Sequence, residues 1–257
     1  MASKNMYPDI NIKRIKNPNR LYAIPLFGFL VKLIMIIPVG IYMVILSFAW
    51  FFVWIINSFY ILFNGKYWNV GYNFSSGLIH LSAKIAFFMF GMTDTYPGFD
   101  FAIDDSFSIS ITYPKKPNRW LAIPLFGFLA RLILLIPFLI YQTVLSKAAQ
   151  IALVVGSFFV TFTGKYPESD YEINRDSYRL DQAAFMWFAG LSDTYPSFWI
   201  SMNHSGIKIT LIILSILLNV VGFSFRKDHH REKMQNNYNY YGSQTSIPQQ
   251  DNYFNQK

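Results

Sequence analysis

The sequence predicts an all-α membrane protein built from two tandem repeats of membrane-embedded helices. Of its 257 residues, 53 % are hydrophobic and only 14 % are charged, more apolar surface than a soluble domain of this length could bury. Two apolar runs, residues 21–63 and 120–162, are each about twice as long as the ~20 residues that one helix needs to cross a bilayer. The second run also repeats the first.

The repeat keeps a constant spacing of 99 residues without a gap. NPNRLYAIPLFGFL at Asn17 matches KPNRWLAIPLFGFL at Lys116, FNGKYW at Phe63 matches FTGKYP at Phe162, and GMTDTYPGF at Gly91 matches GLSDTYPSF at Gly190. An ungapped match across helices, turns and loops predicts two copies of one module, residues 21–98 and 117–200.

Each copy predicts a short first helix and a longer second one. The basic segment 1–20 lacks the features of a cleaved signal peptide. Residues 21–37 would form a helix of about 25 Å, too short for a vertical crossing. Pro38 is expected to start or kink the second helix, and Gly65 is expected to end it.

Four basic residues flank or interrupt the first helices of the two copies. Because cationic side chains favour the headgroup region, we interpret them as candidate lipid-headgroup anchors. These residues are Arg20, Lys32, Arg119 and Arg131.

The third helix of each copy is amphipathic. In the second copy, SDYEINRDSYRLDQ precedes only a short apolar stretch, so this helix is predicted to lie in the interface and dip inward. His80, on the polar face of the first copy's helix, is interpreted as facing water.

Alternating residues in 99–116 predict a β-hairpin outside the bilayer, able to share a small sheet with DINIKRI and SFWISM. A shared sheet requires each module to cross the membrane an even number of times. Residues 207–225 predict a C-terminal transmembrane helix, and 226–257 a disordered polar tail. Both ends of the chain are basic, which places the N-terminus in the cytoplasm. The side of the C-terminal tail stays open.

The order of Arg, the AIP apolar run, F-[NT]-G-K-Y, an amphipathic helix and [TS]-D-T-Y-P-x-F resembles a bacterial integral-membrane family, domain of unknown function 4389, in two tandem copies. The resemblance implies a multi-pass protein of the bacterial inner (cytoplasmic) membrane. It implies no reaction, ligand or catalytic residue.

Catalytic chemistry has little support in the sequence. The chain has no cysteine, and no nucleophile–base pair, phosphate loop or dinucleotide fingerprint occurs. Asp94 and Asp193, in the repeated DTYP motif, are interpreted as turn residues that end the third helix. We therefore expect no enzyme activity, no cofactor and no metal.

One polar stripe, in the second helix of the second copy, is the candidate contact with a partner or a solute. A polar line turned towards lipid would be costly. The stripe consists of Gln142, Ser146, Lys147, Gln150, Ser157 and Thr161.

Three classes of function remain open. The first is a non-catalytic scaffold or accessory subunit of a membrane complex, the second a small transporter or channel component, and the third a membrane-shaping or lipid-handling protein. The expected partners are membrane lipids and other membrane subunits rather than nucleic acid, and a homo-oligomer is compatible with the sequence.

Overall fold

The computed structural model describes residues 8–13, 15, 17–102, 107–111, 117–201, 203–220 and 232–234. It is mostly helical, with a small two-stranded sheet. In chain order the elements are β1 (Asp9–Ile12), α1 (Arg20–Ala23), α2 (Phe27–Asn64), α3 (Asn69–Met89), β2 (Phe107–Ser110), α4 (Phe126–Thr163), α5 (Glu168–Phe188) and α6 (Ser205–Val220). A single 3₁₀ turn, Trp120–Ala122, precedes α4. Helices α4 and α5 have the lengths of α2 and α3 and begin 99 residues later.

Helices α2 and α4 are each one continuous helix of 38 residues. The predicted division into a short helix and a second helix at Pro38 is therefore wrong, because Pro38 and its counterpart Pro137 both lie inside a helix. A proline removes one intrahelical hydrogen bond, but the sequence on either side stays apolar and carries no turn signal, so the helix resumes. Both helices are long and apolar enough to cross a membrane.

The two long helices end at glycines, as the sequence predicts. Gly65 and Gly164 adopt left-handed φ values of 65° and 71°. Their N–H groups donate to Ile61 O and Val160 O, each at 2.8 Å. A left-handed glycine after the last turn satisfies helix carbonyls without a Cβ clash, so the prediction that each helix stops here is confirmed.

Helices α3 and α5 pack against α2 and α4 respectively, and side chains of α3 and α5 contact each other. Tyr178 of α5 bonds Ser82 of α3 across 3.1 Å, and its ring lies 4.7 Å from that of Phe87. Helix α5 is buried along most of its length despite its polar sequence. Its polar side chains are covered by α4 and by the chain that leads into α6, and its location in the membrane interface stays a prediction.

His80 of α3 is also inside the protein, with 9 % of its surface exposed. The prediction that His80 faces water is wrong.

Strand β2 pairs antiparallel with β1, with Ile10 opposite Ile109. The predicted small sheet is present in this form. Residues 99–102, from the first arm of the predicted hairpin, are not in a strand, and 103–106 lie outside the described residues. Phe198–Ser201, from the SFWISM segment, is not a strand. The sheet joins the chain ahead of α1 to the chain ahead of α4.

The chain forms two compact units, Met1–Ser215 and Ile216–Lys257. Of α6, 16 residues are described, and its crossing of a membrane stays a prediction. The predicted helix end, 221–225, lies outside the described residues. Of the predicted tail, 226–257, only 232–234 are described.

Candidate functional site

The polar stripe of α4 does not form one face. Gln142 is buried and points at α5, where its Nε2 donates to Asp181 Oδ1 at 2.7 Å and to Ser177 O at 3.0 Å. Ser146 lies beside it and accepts from the same amide at 3.3 Å. This end of the stripe is an internal contact between α4 and α5.

The far end of the stripe faces the last residue of α1, Ala23. The Thr161 hydroxyl lies 3.0 Å from Ala23 O and 2.8 Å from Ser157 O. Ser157 itself donates to Leu153 O, one turn earlier, at 2.8 Å. Thr161 therefore helps to join the two halves of the fold, whereas Ser157 bonds within its own helix.

Only the middle of the stripe is turned outward. Lys147 and Gln150 are exposed, and Lys147 Nζ donates to Gln150 Oε1 at 3.4 Å. Both lie near the midpoint of α4, on a helix whose other exposed side chains are largely apolar. This exposed pair is the part of the stripe available to another molecule.

Each of the two arginines ahead of the long helices lies at the end of the other copy's long helix. Arg20 precedes α2 but lies at the end of α4, where a Cβ on Gly164 would be 2.8 Å from its Nη2. Arg119 precedes α4 but lies against Gly65 at the end of α2. A cation at a helix C-terminus is favourable because the last carbonyls carry partial negative charge. Both arginines are exposed, and their role as headgroup anchors stays a prediction.

Lys32 and Arg131 are placed differently from the expectation. Each is only 3 % exposed, so neither lies on the outer surface as a headgroup anchor should. Arg131 donates to Trp187 O and forms an ion pair of 3.1 Å with Asp193. The loop after α5 covers this part of α4, which is why the sequence position near the helix start did not reveal the burial.

The repeated DTYP motif makes equivalent hydrogen bonds in the two copies. Asp94 Oδ2 accepts from Asn19 N–H at 2.7 Å, and Asp193 Oδ2 accepts from Asn118 N–H at 2.8 Å. Each carboxylate therefore joins the loop after the last helix of its copy to the asparagine that shortly precedes the first helical turn of that copy. The turn hydrogen bonds are made instead by Thr93 Oγ1, and by Ser192 Oγ at the matching place.

Comparison with known families identifies one segment of the chain. Residues 28–100 match the family model of a domain of unknown function, DUF4389. The DUF4389 match covers nearly all of α2, the whole of α3 and the loop containing Asp94. Neither a curated protein nor a solved structure matched the chain.

A buried charge network lies outside the DUF4389 match and was missed by sequence reasoning. Lys208, at the start of α6, donates to Glu172 Oε2 at 2.7 Å and to Ser201 O at 2.9 Å. Asp176 Oδ2 accepts from Ser201 N–H at 2.7 Å. These bonds fasten the chain after α5 onto α5 itself. The polar run in α5 was the available signal, but it does not reveal its partners.

The pKa values of two carboxylates of α5 shift in opposite directions. Burial alone would raise the pKa of Glu172, but the hydrogen bond and charge of Lys208 outweigh it and lower that pKa. Burial raises the pKa of Asp170, and the hydrogen bond from Ser169 only partly opposes the effect. Among the described residues, no group of three or more His, Asp or Glu side chains is arranged to hold a metal ion.

Proposed function

We propose that the chain is a multi-pass protein of the bacterial inner membrane in which α2 and α4 cross the bilayer. Both helices expose large apolar side chains along their length, which would be unfavourable in water and favourable in lipid. At 1.5 Å per residue each helix is about 57 Å long, so its ends project or the helix tilts. Helices α3 and α5 return inside the protein, which gives an even number of passages between β1 and β2.

We propose that its role is that of a non-catalytic scaffold or accessory subunit of a membrane complex. The supporting observation is the exposed Lys147–Gln150 pair near the midpoint of α4. A lysine at the centre of a spanning helix costs about 2.5–3.5 kcal/mol on insertion scales. A partner subunit that offers a carboxylate or carbonyl to Lys147 would remove this cost. The pair is thus the proposed centre of the interface.

The test is the double variant Lys147→Leu with Gln150→Leu, purified from native membranes in mild detergent. Membrane insertion should be unchanged or improved because both changes favour lipid, whereas a partner subunit that co-purifies with the wild type should be lost. Ser47→Leu in α2 is the matched control, since that exposed hydroxyl already donates to Met43 O of its own helix. Full retention of the partner by the double variant would refute the assignment.

A further inference from the structure

An open cavity lies between the chain leading into α2, the end of α3 and the C-terminal half of α4. Its volume is about 420 Å³, within the roughly 300–1,000 Å³ typical of small-molecule sites. Most of its wall is apolar, including Tyr22, Phe29, Leu153 and Phe158. The polar groups on the wall include Lys32 and Asp94.

The matching place in the other half of the fold is almost filled. It lies between the chain leading into α4, the end of α5 and α2, and it has a volume of about 20 Å³, room for about one water molecule. Trp54 stands where the open cavity has Leu153, and its ring packs 5.7 Å from that of Phe128. The larger indole therefore occupies space that is empty on the other side.

A tyrosine in each half also takes a different position. In the filled place, the Tyr67 hydroxyl donates to Gly190 O and bridges the pocket. On the open side, Tyr166 lies against Gly156, where an added Cβ would be 3.1 Å from the ring carbon Cζ. Asn57 stands at the position that corresponds to Gly156. The glycine thus gives Tyr166 room to lie back against α4, and the cavity stays open.

The cations at the two places, Arg131 and Lys32, also differ in their hydrogen-bond partners. Arg131, in the filled place, is bonded to Trp187 O and Asp193. Among the residues that the structure describes, no hydrogen-bond acceptor or anion pairs with Lys32 Nζ, which lies 5.9 Å and 5.4 Å from the ring centres of Tyr22 and Phe88. Asp94 is nearby, but its Oδ2 accepts from Asn19 N–H. A buried ammonium without an acceptor is costly, and an anion in the cavity would relieve that cost.

We propose that the open cavity binds a single-chain lipid with an acidic head group, whose anionic oxygen accepts a hydrogen bond from Lys32 Nζ and whose alkyl chain lies along Phe29, Leu153 and Phe158. The volume suits one chain, and the lone cation selects acidic over neutral amphiphiles. This inference rests on the proposed membrane location only for the source of the lipid. The cavity and its cation belong to the protein whatever its location.

The test uses the fluorescent fatty acid cis-parinaric acid with the full chain purified in detergent. Fluorescence should rise saturably, and oleate should displace the probe while oleyl alcohol, which lacks the charge, should not. Lys32→Met should weaken binding roughly tenfold or more, the loss of one hydrogen bond to a charged group. This variant should fold, because replacing Lys32 by methionine removes a buried charge that makes no direct ion pair among the described residues.

A second variant closes the cavity without touching the cation. Leu153→Trp copies Trp54 and should abolish probe binding, whereas Val155→Trp, on an exposed face of α4 outside the cavity wall, should not. Equal displacement by oleate and oleyl alcohol would overturn the proposal, as would unchanged binding in Lys32→Met. Displacement by phosphatidylglycerol but not by oleate would overturn the single-chain assignment. The membrane location is tested separately. If alkaline extraction releases the protein from native membranes, the membrane proposal fails, whereas the cavity proposal is unaffected.

Discussion

At the scale of single residues, the repeated AIPLFGFL motif has a steric explanation. Leu26 and Leu125 have positive φ values of 63° and 64°, which reverse the chain just before the long helices. Gly28 and Gly127 then lie so close to the carbonyl oxygens of Tyr22 and Leu121 that a Cβ would overlap them. The motif therefore specifies a tight turn between α1 or the 3₁₀ turn and the next helix.

We expect Gly28→Ala to destabilise the protein by about 2 kcal/mol, because the new methyl group meets backbone rather than a movable side chain. Gly40→Ala, in the same helix, has nothing within 4 Å of the new Cβ and should stabilise by up to about 1 kcal/mol. Unfolding in detergent measures both free energies. Equal effects of the two variants would contradict the steric explanation.

Asp170 predicts a pH dependence of stability. Burial raises its pKa in the folded state, so between the ordinary value of about 3.9 and the raised value the folded state binds more protons than the unfolded state. The contribution of Asp170 to stability therefore falls as pH rises through this window. Asp170→Asn should flatten the decline in Tm above pH 4.

Asp100 serves as the control of opposite sign. Its hydrogen bond from Lys84, at 2.8 Å, lowers its pKa, so its contribution to stability is lost as pH falls. Asp100→Asn should leave the decline above pH 4 in place. A decline that persists unchanged in Asp170→Asn would exclude Asp170 as its source.

At the scale of elements, α5 shows how a polar helix becomes internal. Its charged groups are paired or hydrogen-bonded where they meet the chain after α5, and Lys208 and Glu172 are nearly inaccessible, with side-chain exposures of 2 % and 8 %. Removing one partner of a buried pair costs more than the pair itself contributes, because a charge remains without compensation. The start of α6 thus depends on α5 for its position.

Lys208→Met should therefore destabilise the protein by about 3–5 kcal/mol in detergent unfolding. Lys84→Met breaks an ion pair of similar length, 2.8 Å, but its partner Asp100 is 70 % exposed, so its cost should be below about 1 kcal/mol. Adding Glu172→Gln to Lys208→Met should recover part of the loss. Similar losses of stability in the two single variants would show that burial does not set the cost of breaking the Lys208–Glu172 pair.

At the scale of the whole molecule, the pairing of β1 with β2 keeps both strands on one side of the proposed membrane. The basic N-terminal segment predicts that this side is the cytoplasm. Asp9→Cys and Ser110→Cys, made separately in this cysteine-free chain, should resist an impermeant thiol reagent in intact cells and react after permeabilisation. Labelling of only one of the two would contradict an even number of crossings between them.

Local chemistry determined much of the fold from the sequence alone. Long apolar runs predict the two long helices, glycines at fixed places end them, and alternating residues predict strands, because each depends on neighbours close in the chain. The prediction that a second helix starts at Pro38 was wrong, because one missing hydrogen bond does not end a helix whose flanking sequence carries no turn signal. The candidate stripe was visible as a pattern, yet only Lys147 and Gln150 of its six residues are turned outward.

Only the tertiary structure decided which side chains are covered and by what. The burial of α5 depends on the chain after it, and the positions of Arg20 and Arg119 depend on helices more than forty residues away. The contrast between the open and filled cavities arises where Leu153 faces residues from the other half of the fold and Gly156 leaves room for Tyr166. Burial and cavity volume depend on atoms distant in the chain, so a sequence pattern on one helix cannot fix them.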